Sequence, residues 1–224
     1  MKKQNAEIAV VLGVIIVLAM MAVEQLLKPD YLIKSALKLL LFGGGIFLYA
    51  FISREKISEV LHITGKRPSR KLVVILIGTY VFLMTGFFLL RGELDLPRIK
   101  DALTAKEHLT RENFWIVFLY IIVVNSFLEE AFFRGFLYHA LRPFGTLPAY
   151  LAGSFLFAVY HIGIVSGWFG PLMMILCILG LMGAGLFLQY IEEKNDTLLA
   201  SWMVHAFANL AINTVGTIVI LSLM

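Results

Sequence analysis

The sequence predicts an all-α fold: a polytopic transmembrane helix bundle of about seven spans with its functional site in the membrane-embedded core. Three observations carry this. The 224 residues are 60% hydrophobic and only 15% charged, with a mean hydropathy of +0.87, well beyond the apolar share of about half typical of a soluble domain. The apolar residues gather into stretches of about 20, the length that crosses a hydrocarbon core of about 30 Å. One stretch is interrupted by the charged cluster Glu129, Glu130 and Arg134. A charge at helix centre costs about 2.5–3.5 kcal/mol on insertion scales, so three unpaired within two turns would cost on the order of 8 kcal/mol. Such residues usually have a function.

Spans are expected at 6–27, 32–53, 72–91, 113–141, 146–166, 170–191 and 197–223. The first is too long, and lacks the small-residue cleavage site, for a removable signal peptide. Lys2 and Lys3 precede it, and Arg54, Lys56, Lys66, Arg67, Arg70 and Lys71 fill the connection after the second span. The positive-inside bias puts both segments in the cytoplasm and the carboxyl end outside. Lys34 and Lys38, one turn apart near the start of the second span, are expected to snorkel to the interface. The connection 92–112 mixes acids and bases and reads as an amphipathic surface segment. Gly43, Gly44, Gly45, Gly163, Gly167, Gly180, Gly183 and Gly185 are candidates for close helix approach. With no repeat or linker, residues 1–224 are expected to form one integral membrane domain, 1–112 supporting a core at 113–215.

The net charge of +4 comes mostly from short loops and reads as topology, which leaves no nucleic-acid partner to infer. The single cysteine, Cys177, lies in an apolar run; it cannot form an intramolecular disulfide and reads as a packing residue.

The chemistry-bearing residues fall on three helices. In the fourth span Asn125, Glu129 and Phe133 share a face, with Ser126, Glu130 and Arg134 about 100° around. Glu130 can therefore pair with Arg134 one turn on, whereas Glu129 has no such local cation and is the freer base. The fifth span carries Phe157 and His161, and the seventh a stripe of His205, Asn209 and Asn213. From the expected cytoplasmic ends, Glu129 lies about 18 Å deep, His161 about 22 Å, His205 about 12 Å and Asn209 about 18 Å. Alternating helices thus place a carboxylate, two imidazoles and an amide near mid-membrane, which unrelated core polar residues would seldom do.

Glu129-Glu130-x-x-x-Arg134, Phe157-x-x-x-His161 and His205-x-x-x-Asn209, in that order on successive hydrophobic helices, resemble the motifs of the CPBP family of intramembrane proteases. That family, also called Abi or CAAX protease and bacteriocin-processing, includes the Ras-converting type of CAAX prenyl endopeptidase. The resemblance covers about residues 113–215. It implies an intramembrane endopeptidase with Glu129 as general base on water, His161 assisting, and His205 with Asn209 stabilising the oxyanion. The residue types suit that chemistry: a carboxylate can take a proton from water, an imidazole can relay it, and an amide and an imidazole can donate to a developing oxyanion. Glu130 and Arg134 would hold the fourth helix in register.

Glu129, His161 and His205 could instead be the three protein ligands of a catalytic zinc. The cofactor-free reading is favoured because similar proteins look glutamate-dependent and no H-E-x-x-H is present. Two other classes remain open: a non-catalytic binding or immunity protein of the same fold, and a small proton-coupled transporter using the buried acids as a relay. The expected partners are the lipid bilayer and a membrane-associated or lipid-anchored peptide or protein substrate. The basic loops and small size look bacterial, which favours a multi-pass protein of the cell membrane with a cytoplasmic amino terminus, engaged in peptide maturation in preference to prenyl-CAAX removal.

Overall fold

The computed structural model describes residues 2–63, 66–106 and 113–222. Among these residues, seven helices are long and apolar enough to cross a membrane: α1 (Lys3–Leu27), α2 (Tyr31–Ser53), α3 (Leu72–Leu90), α4 (Phe114–Phe144), α5 (Thr146–Val165), α6 (Pro171–Asn195) and α7 (Leu198–Val219). Among the described residues there is no strand, so the all-α bundle is borne out. Much of the outer surface is apolar, with Leu26, Leu32, Phe51 and Phe82 each at least 75% exposed. In water such a surface would aggregate; in hydrocarbon it is the solvated face.

Local chemistry sets the helix boundaries. Lys28 adopts left-handed geometry and closes α1, and the Asp30 carboxylate accepts from the Ile33 amide at 2.9 Å to start α2. Arg54 and Asp196, also left-handed, end α2 and α6, and Pro171 opens α6. Gly145, at φ 112°, makes the sharp turn between α4 and α5 that other residues would resist.

Two apolar clusters hold the bundle. The larger joins α1, α2, α4 and α5 through residues such as Val17, Phe42, Phe132, Phe133, Phe136, Phe157 and Tyr160, with the Phe42 and Phe132 rings stacked at 4.3 Å. The smaller joins α3, α6 and α7 through Leu72, Leu76, Leu188, Ile191, Ala200 and Val204. Of the glycines expected to allow close approach, Gly45, Gly163 and Gly185 do so: an added Cβ would meet Ile16, Glu24 at 3.3 Å and Ser154 at 2.9 Å respectively. Gly43, Gly44, Gly167, Gly180 and Gly183 face open space instead.

In the 92–112 connection, Leu96–Asp101 is a short helix that buries Ile99 and exposes Arg98 and Asp101, as an amphipathic segment should. Its residues 107–112 lie outside the described residues.

The two lysines of α2 depart from expectation. Both are buried, Lys34 pairing with Glu24 of α1 at 2.8 Å and Lys38 pairing with Glu129. They do not snorkel because they face α1, α4 and α5 rather than lipid, and Lys38 also lies over the Tyr160 ring at 4.9 Å. A buried cation with a carboxylate partner has no reason to reach for water.

Candidate active site

The site grows from an irregular stretch of α4. Residues Ile121–Asn125 and Ala131–Tyr138 are π-helical, flanking the regular turn Ser126–Glu130 that carries both glutamates. Such wide turns shift helix register and recur where side chains are aimed at a function. Glu129 and Glu130 are both buried and point to different partners.

Glu130 pairs with Arg134 at 3.0 Å, as expected, and its Oε1 also lies 2.8 Å from His205 Nδ1. A carboxylate only accepts, so that contact puts the proton on Nδ1 and turns Nε2 of His205 toward Glu129. Arg134 extends the tie, with its guanidinium 4.2 Å from the centre of the Phe157 ring on α5 and 3.4 Å from the Gly185 carbonyl of α6. One ion pair thus joins four helices.

Glu129 is not free of cations, contrary to the sequence reading: the Lys38 ammonium of α2 donates to its Oε1 and to the side-chain Oδ1 of Asn125. Asn125 Nδ2 donates to the same Oε1 at 3.1 Å. With Oε1 occupied, Oε2 faces His161 Nε2 at 3.8 Å and His205 Nε2 at 3.6 Å. His161 Nδ1 donates to the Phe157 carbonyl one turn back at 2.8 Å, so its Nε2 is likewise the nitrogen presented inward. The Phe157 ring packs 4.4 Å from His161 and 5.9 Å from His205, fixing both imidazoles.

The structure therefore brings Glu129, His161 and His205 together from α4, α5 and α7. Asn209 lies one turn beyond His205, where its Nδ2 donates to the Ile121 carbonyl at 3.2 Å, and Asn213 does the same to Phe118. These amides bond α7 to the first half of α4, Asn209 at its π-helical stretch and Asn213 at the regular helix before it. Trp202 Nε1 adds a donor to Ser126 Oγ at 3.1 Å.

Lys38 is the residue that sequence reasoning missed. Its signal was present, a lysine one turn inside an apolar span, but position along a helix does not reveal which face meets the bundle. A second missed cluster lies at the bundle end, where His62, His139 and Glu192 converge. There the hydrogen bond to Glu192 raises the His62 imidazole above its ordinary range, and the Lys66 hydrogen bond holds the Asp196 carboxyl below its own.

Residues 111–211 match the family model described as Rce1-like, type II CAAX prenyl endopeptidase Rce1-like. Over that segment the chain is similar to this family. The resemblance expected from the motifs is thereby borne out, and the matched segment contains Glu129, Glu130, Arg134, His161, His205 and Asn209. Lys38 lies outside it, on a helix that the match does not reach. No curated protein and no solved structure matches the chain.

Proposed function

We propose that this Rce1-like chain is an intramembrane endopeptidase that hydrolyses a peptide bond of a membrane-associated or lipid-anchored substrate. The observation that carries this is the gap bounded by Glu129 Oε2, His161 Nε2 and His205 Nε2. At 3.8 and 3.6 Å these atoms are too far apart for direct hydrogen bonds and close enough to share one water molecule.

In this reading Glu129 Oε2 takes a proton from that water as its oxygen attacks the scissile carbonyl, while Lys38 and Asn125 fix Oε1 and compensate the carboxylate's charge. His161 Nε2 orients the water and relays the proton to the leaving amine. The oxyanion is met by His205, which can donate from Nε2 only as an imidazolium with its Nδ1–H on Glu130, and by the Asn209 N–H not given to Ile121. His161 is the most accessible of the three central side chains, at 15% against 2% for Glu129 and 7% for His205. Substrate would therefore approach past His161, presented as an extended segment, since helical backbone is already hydrogen-bonded.

A catalytic zinc held by Glu129, His161 and His205 is the second mechanistic reading, and the two inward Nε2 atoms with oriented Nδ1 groups suit it. The Lys38 ammonium against Glu129 argues the other way, because it already supplies positive charge where a dication would add two more. The metal-free reading is the one we adopt. For substrate we favour an unprenylated peptide or leader in a bacterial cell membrane over a farnesylated carboxyl terminus.

The test is cleavage of membrane-reconstituted peptides, farnesylated and not, by purified protein with and without chelator. Glu129→Gln should lower turnover by about 10²–10⁴-fold, the range for loss of a general base, and chelator should leave the wild-type cleavage rate unaffected. Undiminished cleavage by Glu129→Gln would remove the proposal. Survival of the cellular phenotype in that variant would favour a binding or immunity protein, and loss of uptake without any cleavage a transporter.

A further inference from the structure

Three potential ligands meet about three turns along α4 from Glu129, at the end of the bundle bearing the 54–71 connection. His62 follows the short helix Ile57–Val60, His139 lies near the end of α4, and Glu192 lies near the end of α6. One ligand atom from each lies within 4.8 Å of the other two. Glu192 is wholly buried, and its Oε1 is shared by His62 Nδ1, in close contact, and His139 Nε2 at 3.0 Å.

The arrangement around His62 demands a cation. Its Nδ1 meets the Glu192 carboxylate and its Nε2 meets Asp196 Oδ1 at 3.2 Å. A neutral imidazole has one N–H, so one of these contacts would otherwise set a nitrogen lone pair against a carboxylate oxygen. Either a second proton or a metal ion resolves the conflict. The His62 and His139 ring centres are only 3.9 Å apart, so charging both rings with protons would add repulsion between like charges. A single divalent ion would satisfy both rings and the carboxylate together.

We propose that His62 Nδ1, His139 Nε2 and Glu192 Oε1 form a binding site for a divalent transition metal of the zinc class, with a fourth position for water. Two imidazoles and a carboxylate are a donor set that such ions accept. The outer shell is in place as well. Asp196 on His62 Nε2 fixes the tautomer that leaves Nδ1 for the metal, and Gln189 donates to Glu192 Oε2 at 2.9 Å and holds that carboxylate. Solvent reaches the cluster, since the His62 and His139 side chains are 23% and 27% exposed. A cavity of about 410 Å³ lined by Glu55, Glu59, His139 and Arg142 adjoins it and gives an entry path. The ion would clip the connection after α2 to the ends of α4 and α6.

Purified full-length protein, stripped with chelator and desalted, is titrated with Zn²⁺ or Co²⁺, and bound metal, Co²⁺ visible absorption and the unfolding midpoint are measured. The expected result is one ion per chain, nitrogen- and oxygen-ligand Co²⁺ bands and a raised midpoint. His62→Ala and His139→Ala should abolish the bands, while Asp196→Asn, which leaves the ligands intact, should weaken binding about 10–100-fold. The doubly substituted Glu129→Gln, His161→Ala protein should bind as wild type does. No uptake by wild type, which would mean the proton alone serves His62, overturns the proposal. Binding unaffected by either histidine substitution, or binding lost with the Glu129 and His161 pair, overturns it too, the last assigning the metal to the active site.

Discussion

Lys38 changes what the glutamate cluster means. Within the fourth span, Glu130 has an internal cation and Glu129 has none, so the sequence alone makes Glu129 an unneutralised buried base. The structure supplies the partner from 91 residues earlier in the chain. Removing one member of a buried pair strands the other, so Lys38→Met should destabilise the fold by about 3–5 kcal/mol. It should also depress peptide cleavage, because Oε1 loses its anchor and Oε2 its aim. In a double-mutant cycle read by thermal unfolding, Lys38→Met combined with Glu129→Gln should be less destabilised than the two single effects added together. Simple additivity would mean that the ammonium and the carboxylate do not interact. Glu130→Gln probes the other arm. It weakens the tie to both Arg134 and His205 Nδ1, and the expected outcome is a fall in kcat larger than any rise in KM, since His205 is posed for the transition state and not for binding.

Helix packing separates glycines that matter from glycines that only look alike. In the run Gly180, Gly183 and Gly185 the sequence offers three equal candidates for a close contact, and only Gly185 meets a neighbour, with Ser154 of α5 at 2.9 Å from where a Cβ would lie. Gly185→Ala should therefore destabilise by about 1–3 kcal/mol through overpacking, whereas Gly183→Ala, facing open space, should be neutral or slightly stabilising. Ser154→Gly should relieve part of the Gly185→Ala penalty, and denaturation of the four proteins measures that coupling. A larger effect at Gly183 than at Gly185 would contradict the packing described. The same limit governed the helix positions of Lys34 and Lys38. Hydropathy locates an element along the chain, but with apolar residues on every side of a spanning helix it carries no signal for the face turned inward.

For the whole molecule, the spans were legible because lipid imposes a length that composition alone satisfies. The expected third span, 72–91, differs from Leu72–Leu90 by one residue. The fourth, expected over 113–141, runs on to Phe144, because a 3-10 turn at Arg142–Phe144 that contains Pro143 continues it past Leu141 as far as Gly145. The convergence of Glu129, His161 and His205 was legible from depth, whereas the lateral arrangement was not. Helices α1 and α2 share a core with α4 and α5 and lend Lys38 to the site, while α3 packs on α7. Supporting and working helices therefore interleave in space. We propose the orientation across the membrane from charge alone: by the positive-inside bias the basic 54–71 connection would lie in the cytoplasm. In a Cys177→Ala background, Ser69→Cys should react with an impermeant maleimide only after cells are permeabilised, and Gly92→Cys should react in intact cells. Both positions are exposed. The converse labelling would invert the bundle and place His62, His139 and Glu192 on the outer face, where they would meet extracytoplasmic and not cytosolic metal.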